Sequence, residues 1–148
     1  MSTRFRMGHV LPKPYKALVA LENTLAEFSL SAVEQEYIRI RASQINGCGY
    51  CLDEHFHDAL QKGADLQKLV VLAAWREAGD VLTTEEKLIV QITEEVTIMG
   101  PDGLPGDTYE KAIALMGQTK VAEIIMCVGV INIWNRIGVS THLNPVKR

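Results

Sequence analysis

Along nearly the whole chain, apolar residues recur three and four positions apart, the spacing of helices that each bury one stripe. Pro12 and Pro14 open a first pattern in Tyr15, Leu18, Leu21, Leu25 and Phe28. Ser31-Ala32-Val33-Glu34 has the form of a capping box. It predicts a second helix to about Ile45, with Val33, Tyr37 and Ile40 on its stripe. Asn46-Gly47 breaks that helix, and a third begins near Cys48 and stops before Gly63. Asp65 caps a fourth, with Leu66, Leu69, Val70 and Ala73; Trp75 and Arg76 stand at its end, and Gly79-Asp80 turns the chain. Thr83-Thr84-Glu85-Glu86 is a second capping box and opens a fifth helix through Leu88, Ile92 and Val96.

Met99 to Gly106, rich in glycine and proline, is the clearest loop. A sixth helix starts at Asp107 and ends at Gly117, and Thr119 caps a last one from Lys120 to about Val139. That last helix is apolar nearly all round, so it belongs in the core or in a subunit interface. His142 to Arg148 reads as an extended end. No segment has a convincing strand pattern. The expectation is an all-α, single-domain helical bundle of about seven helices over residues 1–148.

Composition narrows the function. At 148 residues and 47% apolar the chain has the makings of one folded core. A net charge of -3 without any basic run argues against a nucleic-acid partner. The longest apolar run, Val121 to Trp134, is short for a membrane span and carries Glu123 and Asn132, so no membrane partner is expected. Met1 to Val10 has charge but no apolar stretch of the kind a secretory signal needs. Three cysteines are an odd number and too few for a disulfide scaffold, which points to a cytoplasmic setting.

The chemistry concentrates in Asn46-Gly47-Cys48-Gly49-Tyr50-Cys51-Leu52-Asp53-Glu54-His55. If this stretch is helical from Cys48, then Cys48, Cys51 and His55 share a face, and His55 is one turn from Cys51. A free thiol, with a pKa of roughly 8.5, is mostly protonated at neutral pH; a helix N-terminus and a nearby imidazole favour the thiolate. The pair therefore reads as redox-active. Zinc is the alternative, but Cys48, Cys51 and His55 supply only three ligands and no fourth follows at familiar spacing. No metal and no organic cofactor is expected. Cys127, far along an apolar helix, reads as core packing. His57 points away from the cysteine face, and His9 and His142 receive no role. Glu36 shares a face with Ile40 and Ser43, along the strip leading to the cysteines; on spacing alone a solvated surface charge is the better reading.

The run Glu36-Tyr37-Ile38-Arg39-Ile40-Arg41-Ala42-Ser43-Gln44-Ile45-Asn46-Gly47-Cys48-Gly49-Tyr50-Cys51, followed by His55, resembles the core motif of the carboxymuconolactone decarboxylase / alkylhydroperoxidase D-like family. The likeness continues through Ala73-Ala74-Trp75-Arg76-Glu77 and Ile131-Asn132-Ile133-Trp134-Asn135-Arg136, covering residues 15–140. It implies an all-helical domain assembled into a homotrimer or homohexamer. It implies a thiol peroxidase in which Cys51 attacks a hydroperoxide and becomes a sulfenic acid. Cys48 is then the resolving thiol and proton donor that closes a Cys48–Cys51 disulfide. His55 is the general base and Glu36 the far end of a proton relay. Electrons would come from a partner thiol, such as a dihydrolipoamide-bearing or thioredoxin-like protein. One departure stands out: some members place a second histidine between the cysteines, where this chain has Tyr50, and a phenol with a pKa of ~10 is no base at neutral pH. The decarboxylase branch typically lacks the cysteine pair, which argues against lactone decarboxylation. That activity and a low-turnover redox-sensing oligomer remain as alternatives.

Overall fold

A computed structural model describes residues 2–147. Its helices are α1 (Met7–Val10), α2 (Pro12–Thr24), α3 (Ala32–Asn46), α4 (Gly49–Gln61), α5 (Leu66–Val71), α6 (Thr84–Ile98) and α7 (Gly106–Thr141). Short 3-10 turns follow α2 and α5. Among the described residues there is no strand, only an isolated bridge between Gly100 and Gly103 in the loop before α7. The all-α expectation holds.

Both capping boxes form. Ser31 accepts from the Glu34 N–H while Glu34 accepts from the Ser31 N–H, and Thr83 and Glu86 repeat the arrangement. Each satisfies two backbone donors that a helix start would otherwise leave open. Gly47 ends α3 in the left-handed region (φ 67°), which costs a residue without a side chain least. Trp75 and Arg76 lie in the 3-10 turn after α5 rather than in the helix itself.

α3 is the central element and packs against α4, α6 and α7. Ile38 faces one hydrophobic cluster with Leu25, Ile89, Ile92, Ile124 and Val128. Tyr37 and Ile40 face the other, with Ala59, Leu69, Leu72 and Val90. Serving two clusters leaves α3 no solvent side between Gln35 and Ile40, all of which are buried. The single stripe expected from Val33, Tyr37 and Ile40 therefore understates its burial.

α7 holds the sixth and last predicted helices as its two arms, separated where expected at Gly117, whose backbone is non-helical (φ 79°, ψ 164°). Its length and apolar composition would suffice to cross a bilayer, unlike the shorter run seen in the sequence. Here its inner side packs on α3 and α6 through Val121, Ile124, Val128 and Ile131. Glu123 accepts from the Ser29 and Leu30 N–H groups (2.9 and 3.2 Å) and the Ser29 hydroxyl (2.6 Å), pinning the chain just before α3. Its outer side leaves Ile125, Met126, Ile133 and Val139 exposed. The tail after Thr141 has no regular structure as far as Lys147, and Arg148 lies outside the described residues.

Candidate active site

Cys48 sits at the N-cap of α4 with extended backbone angles (φ -87°, ψ 93°), one residue before the helix rather than within it. Its Sγ accepts from the Cys51 N–H (3.3 Å), so the sulfur takes the place an N-cap oxygen usually holds. Cys48 and Cys51 are bonded sulfur to sulfur, with Cα atoms 5.3 Å apart. The two are not equivalent. Cys51 lies on the wall of a cavity of about 850 Å³, and Cys48 is not among its lining residues.

His55 lines the same cavity one turn along α4. Its Nδ1–H donates to Glu36 Oε2 (2.9 Å), so Nε2 is the ring nitrogen outside that bond. Glu36 is not a surface charge: it is 1% exposed. Its Oε1 accepts from Arg39 Nη1 (2.8 Å) and Lys62 Nζ (2.6 Å). Burial pushes the Glu36 carboxyl up, but the hydrogen bond and charge of His55, the Arg39 guanidinium and the Lys62 hydrogen bond outweigh it and bring it down to about 2. Glu36 is therefore a fixed anion at neutral pH. This geometry suits orienting His55 better than carrying protons.

Arg39 extends the network. Its Nη2 donates to Glu22 Oε1 (2.8 Å) and to Gln35 Oε1 (3.2 Å), and Glu22 Oε2 accepts from Trp134 Nε1 (3.0 Å). Glu22 and Trp134 both line the cavity. Tyr15 packs edge-on to Trp134, with ring centroids 5.4 Å apart, and adds a second aromatic wall. Tyr50 also faces the cavity; burial, then Glu54, raises its hydroxyl, so at neutral pH it is a donor and no base.

Both chain ends close over this space. Residues of α1 and Leu143, Asn144 and Val146 complete the lining. The ends are tied together by Arg4 N–H to Thr141 O (2.8 Å) and Thr3 Oγ1 to His142 O (3.2 Å). On the other side, α7 brings Gly138 against the sulfurs: a Cβ there would lie 2.9 Å from Cys48 Sγ and 3.4 Å from Cys51 Sγ.

Glu36, His55 and Asp58 present donor atoms within 4.8 Å of one another. Glu36 already accepts from Arg39, Lys62 and His55, and two resident cations are poor neighbours for a metal ion. His57, turned outward as expected, accepts from Gln61 Nε2 (2.8 Å). Cys127 is fully buried and free, and burial drives its thiol up to about 12. It is packing, as its place in the sequence suggests.

The structure thus brings together all four residues singled out in the sequence, Glu36, Cys48, Cys51 and His55. It adds Glu22, Arg39, Lys62, Trp134 and Gly138, which sequence reasoning did not select. Only Arg39 and Trp134 fell within stretches that carried the family likeness; Glu22, Lys62 and Gly138 had no local signal.

The Bacillus subtilis uncharacterized protein YdfG is 29% identical over 140 residues, covering 95% of each chain. A crystal structure of a protein of unknown function from Agrobacterium tumefaciens, provisionally linked to the antioxidant defence protein AhpD, superposes with a TM-score of 0.93. It is 31% identical, over 99% of this chain and all of that one. An uncharacterized peroxidase-related protein from Silicibacter sp. TM1040 gives a TM-score of 0.79 at 25% identity, over 88% of this chain and 69% of that one. The model of the carboxymuconolactone decarboxylase family matches residues 12–94, from α2 through the cysteine pair and into α6, and the chain belongs to that family.

Proposed function

We propose that the protein is a thiol-dependent peroxidase that reduces hydroperoxides through the Cys48–Cys51 pair. The observation that carries this reading is that Cys51 and His55 share one cavity wall, while Cys48 is bonded to Cys51 from outside it. In the reduced state His55 Nε2 takes the Cys51 proton. The thiolate attacks one peroxide oxygen; the S–O bond forms, the O–O bond breaks, and the alkoxide leaves with a proton as alcohol. Cys51 is then a sulfenic acid. The Cys48 sulfur attacks it, the disulfide forms and water leaves. A dithiol reductant, dihydrolipoamide-bearing or thioredoxin-like, returns two electrons and two protons. Glu36 holds His55 in one tautomer throughout. Cys48 and Cys51 need no metal or organic cofactor for these steps. The protein works in the cytoplasm as a homotrimer or homohexamer, in keeping with the exposed apolar side of α7.

The test is peroxide consumption with several dithiol reductants, run beside Cys51→Ser. Turnover that needs both peroxide and dithiol and vanishes in Cys51→Ser is the expected result. Absence of turnover, with activity on a lactone instead, would move the assignment to the decarboxylase branch.

A further inference from the structure

Two residues of α7, one turn apart on the same face, meet the chain around Cys48. Gly138 lies against its sulfur. Asn135 reaches the end of α3, from which Cys48 follows. Asn135 is 1% exposed, and both ends of its amide are bonded. Its Nδ2 donates to Ser43 Oγ and its Oδ1 accepts from Asn46 Nδ2, each at 2.9 Å. Asn46 Nδ2 also donates to Asn132 Oδ1 (3.0 Å). Asn132 accepts from Arg136 as well and donates to Thr97 of α6, whereas both of these amide bonds of Asn135 go to α3.

Ser43 and Asn46 are the two ends of the last turn of α3. The Ser43 carbonyl accepts from the Gly47 N–H, which closes the helix, and from the Cys48 N–H (3.0 Å). The main chain at Cys48 therefore hangs from a residue that Asn135 holds. A buried, fully bonded amide ordinarily serves the fold alone. This one ties α7 to the short turn between α3 and α4, and Asn46 is two residues from the sulfur that closes the disulfide.

For closure the Cys48 sulfur must meet Cys51: the S–S bond forms, the S–O bond of the Cys51 sulfenic acid breaks, and water leaves. In the oxidised protein the S–S bond itself holds Cys48 in place. In the dithiol only the surroundings do. A group that fixes the turn beforehand therefore restricts the dithiol more than the disulfide, and raises the effective concentration of one thiol at the other. Ordering the backbone of a single residue corresponds to a factor of about five to thirty in an equilibrium constant.

We propose that Asn135 is a positioning residue for the resolving step: through Ser43 and Asn46 it fixes the start of α4, so that the Cys48 sulfur stands beside Cys51 before the bond closes. The inference rests on the reading of Cys48 as the resolving thiol, and its test needs no peroxide. The full chain is equilibrated in glutathione redox buffers. Acid quench, alkylation and peptide mass spectrometry then give the ratio of closed to open pair. A contact that only holds the fold destabilises both forms alike and leaves that ratio unchanged. In Asn135→Leu the equilibrium constant for closure is expected to fall about five- to thirtyfold. Ser43→Ala, which removes one of the two bonds, should lower it by less. Thr93→Val, at a buried bond within α6, should lower stability without moving the ratio. Should Asn135→Leu fail to fold, Ser43→Ala and Asn46→Ala decide the matter. Wild-type closure in the folded variants overturns the proposal, as does an equal fall in Thr93→Val. The expected fall, together with no peroxide turnover by the wild type, would count against the peroxidase reading alone.

Discussion

Gly138 of α7 and Cys48 at the start of α4 meet so closely that a single added methyl at Gly138 would stand 2.9 Å from the Cys48 sulfur. The glycine is thus a packing requirement of the cysteine pair and not a flexible point in the helix. Gly138→Ala is expected to destabilise the protein by about 1–3 kcal/mol, the usual cost of overpacking, and to slow closure of the disulfide. Gly106→Ala, at the open start of the same helix, should stay within about 0.5 kcal/mol of wild type. Denaturant unfolding and the rate of thiol loss under mild oxidation check both. Equal behaviour of the two variants would show that the sulfurs can move aside freely.

Cys51 faces the cavity and Cys48 does not, so the two thiols should react unequally. In Cys48→Ser, one equivalent of peroxide is expected to leave a sulfenic acid on Cys51, trapped by dimedone and located by peptide mass spectrometry. In Cys51→Ser, neither Cys48 nor the buried Cys127 should trap in the native state. A label on Cys48 at the rate seen for Cys51 would reverse the assignment of roles.

His55→Gln is expected to slow Cys51 oxidation by ~10²–10⁴-fold near neutral pH, the usual contribution of a positioned base. The deficit should narrow as pH rises, because bulk hydroxide then supplies the thiolate. Stopped-flow peroxide reduction across pH follows this directly. An unchanged rate would leave the α4 N-terminus alone to account for any reactive thiolate.

Glu36 also sets a dependence of stability on acid. Its carboxyl falls from an ordinary 4.5 to about 2 in the folded protein. The unfolded state binds the proton more readily, so the contribution is fully present above 4.5 and is lost as pH falls through about 2. The shift corresponds to a contribution on the order of 3 kcal/mol. Denaturant midpoints taken across that window should fall more steeply for wild type than for Glu36→Gln. Parallel slopes would mean that the ion pairs of Glu36 add little to folding.

The exposed side of α7 carries Ile125, Met126 and Ile133 on a helix whose other side is core. Met126→Glu should convert an oligomer to smaller species in sedimentation without unfolding the chain, since this side chain makes no part of either hydrophobic cluster. A wild-type protein that sediments as a monomer at micromolar concentration would remove the basis for this assembly.

Local signals fixed the helices because their causes are local. A serine or threonine three residues before a glutamate caps its own helix, and Gly47 supplies its own left-handed turn, whatever lies elsewhere. The same holds for the cysteine pair, whose separation is set by one turn of chain. The sequence on its own thus determined an all-helical domain, its main breaks and the four residues Glu36, Cys48, Cys51 and His55, the first of them only through family likeness. Spacing on α3 could not reveal that Glu36 is buried, because that follows from two hydrophobic clusters meeting on opposite sides of one helix. Nor could it show that Lys62 reaches Glu36 from the end of α4, that Glu22 joins Arg39 from α2, or that Gly138 abuts a sulfur about ninety residues earlier. Those contacts exist only once α2, α3, α4 and α7 are packed, and in this site it is the packing that decides which charges meet and which sulfur faces the cavity.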